Sequence, residues 1–215
     1  MKYKEYIRQI IRTYKGIPFE EDIVLLIREK GITKGYLRPV SKYNETLAKM
    51  IMRWREANPI GFANRFEASL EKTENWYKNI LLPNEYRILF FIHSIAGMVI
   101  GHLGYSTFNF GFRSAEIDNV VRGLKGFDKG MMSLALQTLI HWGKERLLLD
   151  DIYLRVLEEN EHAIKFYERN GFKTLRKIPL FEKVGPDIVE WVELPSREQK
   201  GRQPDKFFNY MKYDG

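Results

Sequence analysis

The sequence predicts a mixed α/β (α+β) fold in which a central, mainly antiparallel sheet is flanked by helices. Three observations carry this. Hydrophobic periodicity switches between period two and period 3.6 in the order β-α-α-β-β-β-α-β-α-β-β. Two β-rich runs, 86–92 and 98–105, are separated by His93-Ser94-Ile95-Ala96-Gly97, the length and composition of a hairpin connection. A strong amphipathic helix over 130–146 joins two further strands, 114–121 and 152–157, and strands connected through a helix run parallel.

Residues 5–30 carry helical spacing, Ile7, Ile10, Ile11 and then Ile23, Leu25, Leu26, Ile27, broken at Gly16-Ile17-Pro18, which predicts two short helices. Residues 35–40 read as a strand, and Asn44 caps a helix running through Leu47, Met50, Ile51 and Trp54. The stretch 59–69 is irregular, and 71–81 is a helix ended by Pro83. Within 130–146, Met131, Leu134, Ala135, Thr138, Leu139 and Trp142 form one apolar stripe that should lie on a sheet. Asn160 caps a short helix that stops at Asn170-Gly171, a left-handed termination. Strands over 173–183 and 187–194 turn at Val184-Gly185-Pro186. The polar stretch 195–206 reads as a linker, and the aromatics of 207–213 as a docked terminal helix. The expected organisation is an N-terminal helical extension (1–33), a main domain (34–195), and a linker with an aromatic tail (196–215).

With 215 residues, 44% of them hydrophobic, the chain can bury a substantial core. Its apolar stretches are shorter than the ~20 residues of a membrane span, and the N-terminus lacks a secretory pattern, so a cytoplasmic protein without membrane partners is expected. The chain has no cysteine, and its four histidines show no ligand spacing; no metal site is expected. The net charge of +7 is spread along the chain without a nucleic-acid module signature, so nucleic acid is not an expected partner.

Chemistry concentrates in the strand 114–121, the turn Arg122-Gly123-Leu124-Lys125-Gly126-Phe127-Asp128-Lys129 and the helix opening at Gly130. A strand, a glycine-containing loop and a helix N-terminus aim unpaired N–H groups and a positive dipole end at one point, which suits a phosphate or pyrophosphate. Arg122, Lys125 and Lys129 add positive charge. Glu116 and Asp118 share one strand face by the period-two rule, and either could accept a proton through water, Glu116 first. His93 and His102 are weaker candidates for the same task.

Val120-Val121-Arg122-Gly123, Gly130-Met131-Met132, Leu154-Arg155-Val156 and Asn160-x-x-Ala163-x-x-Phe166-Tyr167-x-x-x-Gly171-Phe172 together resemble the GNAT acetyltransferases, over residues 36 to about 194. The resemblance implies a GNAT-like sheet, splayed at an acyl-CoA cleft between the strands 114–121 and 152–157. It places acetyl-CoA against Val120, Val121, Arg122, Gly123, Lys125, Gly126, Lys129, Gly130 and Met131, and against Asn160, Ala163 and Phe166. In that family the loop holds the pyrophosphate and the strand pairs with the pantetheine arm. A backbone N–H near Val120 or Val121 faces the thioester carbonyl, and Tyr167 falls where a tyrosine protonates the CoA sulfur. The glycines at 123, 126 and 130 depart from the R/Q-x-x-G-x-G/A loop of many members by a few added residues.

The implied reaction is acetylation of a primary amine. The loop spacing and Trp54-Arg55 resemble the branch acting on nucleotide-linked amino sugars, and Trp54-Arg55 also resembles the ribosomal-protein branch. A protein, peptide or aminoglycoside acceptor, and a non-catalytic acyl-CoA-binding or interaction module, stand as alternatives. Exposed edge strands would permit a homodimer.

Overall fold

The computed structural model describes residues 2–16, 23–124, 126 and 129–215. Helix α1 covers Tyr3–Gly16, and strands β1 (Leu25–Glu29) and β2 (Ile32–Pro39) form a hairpin. Helix α2 (Glu45–Glu56), a 3₁₀ turn (Pro59–Gly61), strand β3 (Asn64–Arg65) and helix α3 (Leu70–Asn75) follow; α3 continues as a π-helical segment, Trp76–Leu81. The main body comprises β4 (Ile88–Ser94), β5 (Val99–Asn109), β6 (Ser114–Arg122), α4 (Met131–Arg146), β7 (Asp151–Leu157), α5 (Glu161–Arg169), β8 (Phe172–Val184) and β9 (Val189–Val192). A one-turn helix, α6 (Ser196–Gln199), precedes β10 (Lys206–Tyr213).

The strands lie in the order β1-β2-β4-β5-β6-β7-β10-β8-β9-β3. Every described pairing is antiparallel except β6 with β7, which the crossover helix α4 makes parallel. The fold is the mixed, mainly antiparallel sheet expected.

Two expected helices are strands. Leu25, Leu26 and Ile27 belong to β1, because Lys30 (φ 49°) and Gly31 (φ 81°) make a tight left-handed turn that folds the run back on β2. The aromatic tail is β10, inserted between β7 and β8, with Asn209 and Met211 buried at period two. The sheet therefore draws on residues before 34 and after 195.

The sheet is covered on both faces, so every residue of β4 is buried and its first five, Ile88 to Ile92, are apolar. Ile88, Phe90 and Ile92 join the core under α1 and α4, with Ile7, Ile11, Leu139 and Trp142, while Leu89 and Phe91 join that under α2 and α3, with Ile51, Trp54 and Tyr77. Helix α1 is tied to the C-terminal end of α4. Tyr6 Oη donates to the Arg146 carbonyl (2.8 Å), Tyr3 Oη to that of Leu147 (2.8 Å), and Trp142 Nε1 to Tyr14 Oη (2.9 Å). The two tyrosine-to-carbonyl bonds satisfy acceptors that a helix end leaves open, and the bond to Tyr14 fastens the two helices side chain to side chain. Among the described residues no helix is long and apolar enough to cross a membrane.

Candidate active site

The pairing of β6 with β7 is confined to Ser114, Ala115 and Glu116 opposite Asp151, Ile152 and Tyr153. Beyond Glu116 the strands part, while β7 continues on β10 and β6 on β5. A bulge sits at this point: Asp118 pairs with Gly104 and Val121 with His102, so Asn119 and Val120 oppose Leu103 alone, with Asn119 left-handed (φ 53°). The expected splay is present, and along it β6 keeps backbone groups with no strand partner on the β7 side.

Helix α4 opens at Gly130 (φ 94°), without a side-chain cap. Its first backward bond runs from Leu134 N to Gly130 O (3.1 Å), so the N–H groups of Met131, Met132 and Ser133 lack intrahelical partners and form an anion-seeking end. Gly126 and Gly130 both have positive φ and open space where a Cβ would stand. Met131's side chain is buried, leaving only its backbone for a ligand. Arg122 and Lys129 are exposed, and Lys125 lies outside the described residues. Gly123 also packs the loop onto the fold: its N–H donates to Ile100 O (2.8 Å), as does that of Leu124 (2.9 Å), and a Cβ would lie 1.8 Å from Trp54 Cε2. It is a packing glycine that lets the loop cross the indole.

Asn160 caps α5, its Oδ1 accepting from Ala163 N (3.2 Å). Ala163, Phe166 and Val120 are half-buried and pack against the same core. Tyr167 is 8% exposed and packs edge-on against Phe166 (5.3 Å) and Phe172 (5.9 Å). Burial, and after it the charge of Asp118, raise its pKa well above 10, so the phenol keeps its proton. Among the described residues no hydrogen bond engages its hydroxyl.

Beside the splay lies a cleft of about 700 Å³ that reaches Glu116, Asp118, Asn119 and His102 at its inner end. Glu116 Oε2 accepts from Arg155 Nε (2.8 Å), and Arg155 Nη1 also holds Glu193 (2.8 Å). Burial raises the Glu116 pKa above the ordinary carboxylate range, with Arg155 opposing. Asp118 accepts from Asn119 N (2.7 Å) and Nδ2 (2.9 Å) and faces Arg87 (3.5 Å), so it clamps the bulge. His102 is buried in the same wall: its Nδ1–H donates to the Asn119 carbonyl (2.7 Å), and burial lowers its pKa to about 4, leaving a neutral ring. His93, bonded to Gly97 O (3.2 Å) and stacked on Tyr36, lies in the β4–β5 hairpin away from this cleft.

The outer wall comes from the stretch that sequence patterning left irregular. Phe62, Asn64 and Phe66 line it with Lys72 and Trp76, opposite Trp191 and Phe208. Period-based reading carries no signal for these residues; the one hint was the density of aromatics around Arg55.

The family model for the GNAT acetyltransferase domain matches residues 36–173. A sequence comparison with curated proteins gives no match. Among solved structures, the chain resembles a spermidine N-acetyltransferase from Vibrio cholerae in complex with CoA and spermine, at 18% identity and a TM-score of 0.62 over 83% of this chain and 94% of that one. It also resembles a probable GNAT-family acetyltransferase from Chromobacterium violaceum, at 13% identity and a TM-score of 0.62 over 87% and 85% of the two chains. These likenesses establish the fold, and the family match spans more than half of the chain: the protein belongs to the GNAT family of acyl-CoA-dependent N-acetyltransferases.

Proposed function

We propose that the protein transfers the acetyl group of acetyl-CoA to the primary amine of a small anionic acceptor, in the class of nucleotide-linked amino sugars. The observation that carries this reading is the meeting of two openings at Glu116, where β6 leaves β7 and the lined cleft begins. One opening suits an extended pantetheine arm and the other an acceptor.

When bound, acetyl-CoA supplies the activated acetyl thioester. The uncapped N–H groups of 131–133, with open space at Gly126 and Gly130, suit its pyrophosphate, and the exposed Arg122 and Lys129 add charge. The unpaired edge of β6 beyond Glu116 offers backbone bonds to the arm, and the half-buried Ala163 and Phe166 offer it apolar surface. The bulge interrupts the β5–β6 ladder at Asn119 and Val120, and in this reading an N–H of Val120 or Val121 is assigned to the carbonyl on which charge develops. Asp118 and His102 hold that bulge rigid from its side-chain and carbonyl sides.

Amide formation needs a neutral amine, release of one proton from nitrogen and delivery of one to sulfur as the carbon–sulfur bond breaks. Glu116, with its pKa raised by burial, takes the first, directly or through water; Tyr167, protonated throughout the working range, donates the second. The Glu116 proton then passes to solvent along the cleft, and the Tyr167 phenolate regains a proton from solvent, which restores both groups for the next turnover.

An anionic acceptor is favoured over a polyamine by how the cleft's charges are used. Glu116, Asp118 and Glu193 are all engaged by arginines, so a polycation meets no unpaired carboxylate among these three. The test is thiol release from acetyl-CoA with UDP- and TDP-linked amino sugars, spermidine and a peptide amine as acceptors. Turnover on the nucleotide sugars, with kcat lowered about 10²- to 10⁴-fold in Tyr167→Phe at little change in KM, supports the reading. Preferred turnover on spermidine, or Tyr167→Phe at wild-type rate, contradicts it.

A further inference from the structure

We infer that the outer end of the cleft is a diphosphate subsite built on Arg55 and Lys72, which selects acceptors by the linking phosphates of a nucleotide; this rests on the acetyltransferase reading above. Arg55 stands in the last turn of α2, and its guanidinium carbon lies 4.1 Å from the Phe62 ring centroid and 4.4 Å from that of Phe66. One Nη donates to Asn64 Oδ1. The rings attract the cation through their faces but accept none of its remaining N–H bonds. Among the described residues no carboxylate pairs with it, and burial lowers its pKa. A desolvated, uncompensated guanidinium in a cleft wall is unfavourable until an anion arrives.

Lys72 repeats the pattern beside it. Its ammonium lies 5.5 Å from the same Phe66 centroid, is exposed, and has no carboxylate partner among the described residues. Two of the four cations lining the cleft, Arg87 and Arg155, are neutralised by Asp118 and by Glu116 with Glu193. The two uncompensated ones are those gathered around Phe66. A planar fork and a point charge around one ring suit the two phosphates of a diphosphate. Trp76 and Trp191 line the same cleft and give flat surfaces on which a base or sugar ring can stack. CoA carries phosphates too, but the open end of α4 already provides for its pyrophosphate, so the two anion sites predict two separate ligands.

The test is calorimetric titration of UDP and of inorganic pyrophosphate into the full chain, with and without saturating CoA. UDP is expected to bind equally well with CoA present. Arg55→Met, which keeps length and ring contact, should weaken UDP about 10- to 100-fold, as loss of charge-assisted bonds does, and Arg55→Lys should restore part of it. Lys72→Met, an exposed change that leaves the fold intact, should weaken both probes severalfold while acetyl-CoA affinity stays unchanged. Displacement of UDP by CoA, or wild-type UDP affinity in both methionine variants, overturns the subsite. So does absence of UDP binding in a protein that binds acetyl-CoA, and that result leaves the acetyltransferase reading intact. Failure to bind acetyl-CoA at all overturns the reading and the subsite together.

Discussion

Substituting Gly123 by alanine probes how the ligand loop is seated on the fold. The new Cβ would stand 1.8 Å from Trp54 Cε2 and 2.2 Å from Cδ2, far inside the 3.4 Å at which ordinary contact begins. Trp54 has little room to retreat, because its ring is 8% exposed and packed among Ile51, Tyr77, Leu89, Phe91 and Val121. The alternative is for the loop to lift, which breaks the bonds from Gly123 N and Leu124 N to Ile100 O. Overpacking of a core costs about 1–3 kcal/mol, and each lost hydrogen bond about 1 kcal/mol. With both bonds lost the total is roughly 3–5 kcal/mol, which for a chain of this size lowers Tm by about 6–20 °C. Thermal unfolding of Gly123→Ala, Trp54→Leu and the double variant forms a cycle. The smaller leucine should make room for the methyl, so the double variant should melt well above the sum of the two losses, and acetyl-CoA affinity should recover with it. Additive losses, or Gly123→Ala melting within 2 °C of wild type, would refute the seating of the loop on the indole.

Two predictions concern ionisation. Glu116 must be ionised to accept a proton, so the rate should fall as pH drops through its raised pKa; because Arg155 opposes the rise, Arg155→Met should move that limb to higher pH, and Glu116→Gln should remove it. His102 has a folded pKa of about 4 against 6.5 when unfolded, so the unfolded chain binds more protons between these values and stability should fall as pH drops through that window. The loss should approach about 3 kcal/mol at the acid end, and denaturant unfolding at pH 7 and pH 4.5 should show it largely absent in His102→Gln.

Legibility in the sequence followed how local each signal was. The helix over 131–146 repeats its stripe across four turns, and Asn160 and Gly171 mark both ends of α5, so these elements were readable from neighbours alone. Strand β1 was not, because Leu25-Leu26-Ile27 is too short to show a period and its partner strand, not its own spacing, settles its form. Strand β10 was misread for a related reason: aromatics at 207, 208, 210 and 213 satisfy either period until β7 and β8 hold the segment between them. Within the site, the end of α4, the splay and the Glu116 face follow from chain order. The role of Gly123 does not, since it depends on Trp54 arriving from α2, nor does the Arg55 cage, assembled from a helix end and an irregular stretch.

The central claim is that an acyl-CoA occupies the splay with its pyrophosphate at the end of α4, and calorimetric binding of acetyl-CoA tests it most directly. The wild type should bind with micromolar affinity, about −8 kcal/mol. The Gly126→Asp, Gly130→Asp double variant, which places two carboxylates at that end, should lose binding while keeping a cooperative unfolding transition. Wild-type affinity in the folded double variant, or no binding by the wild type, would contradict the account.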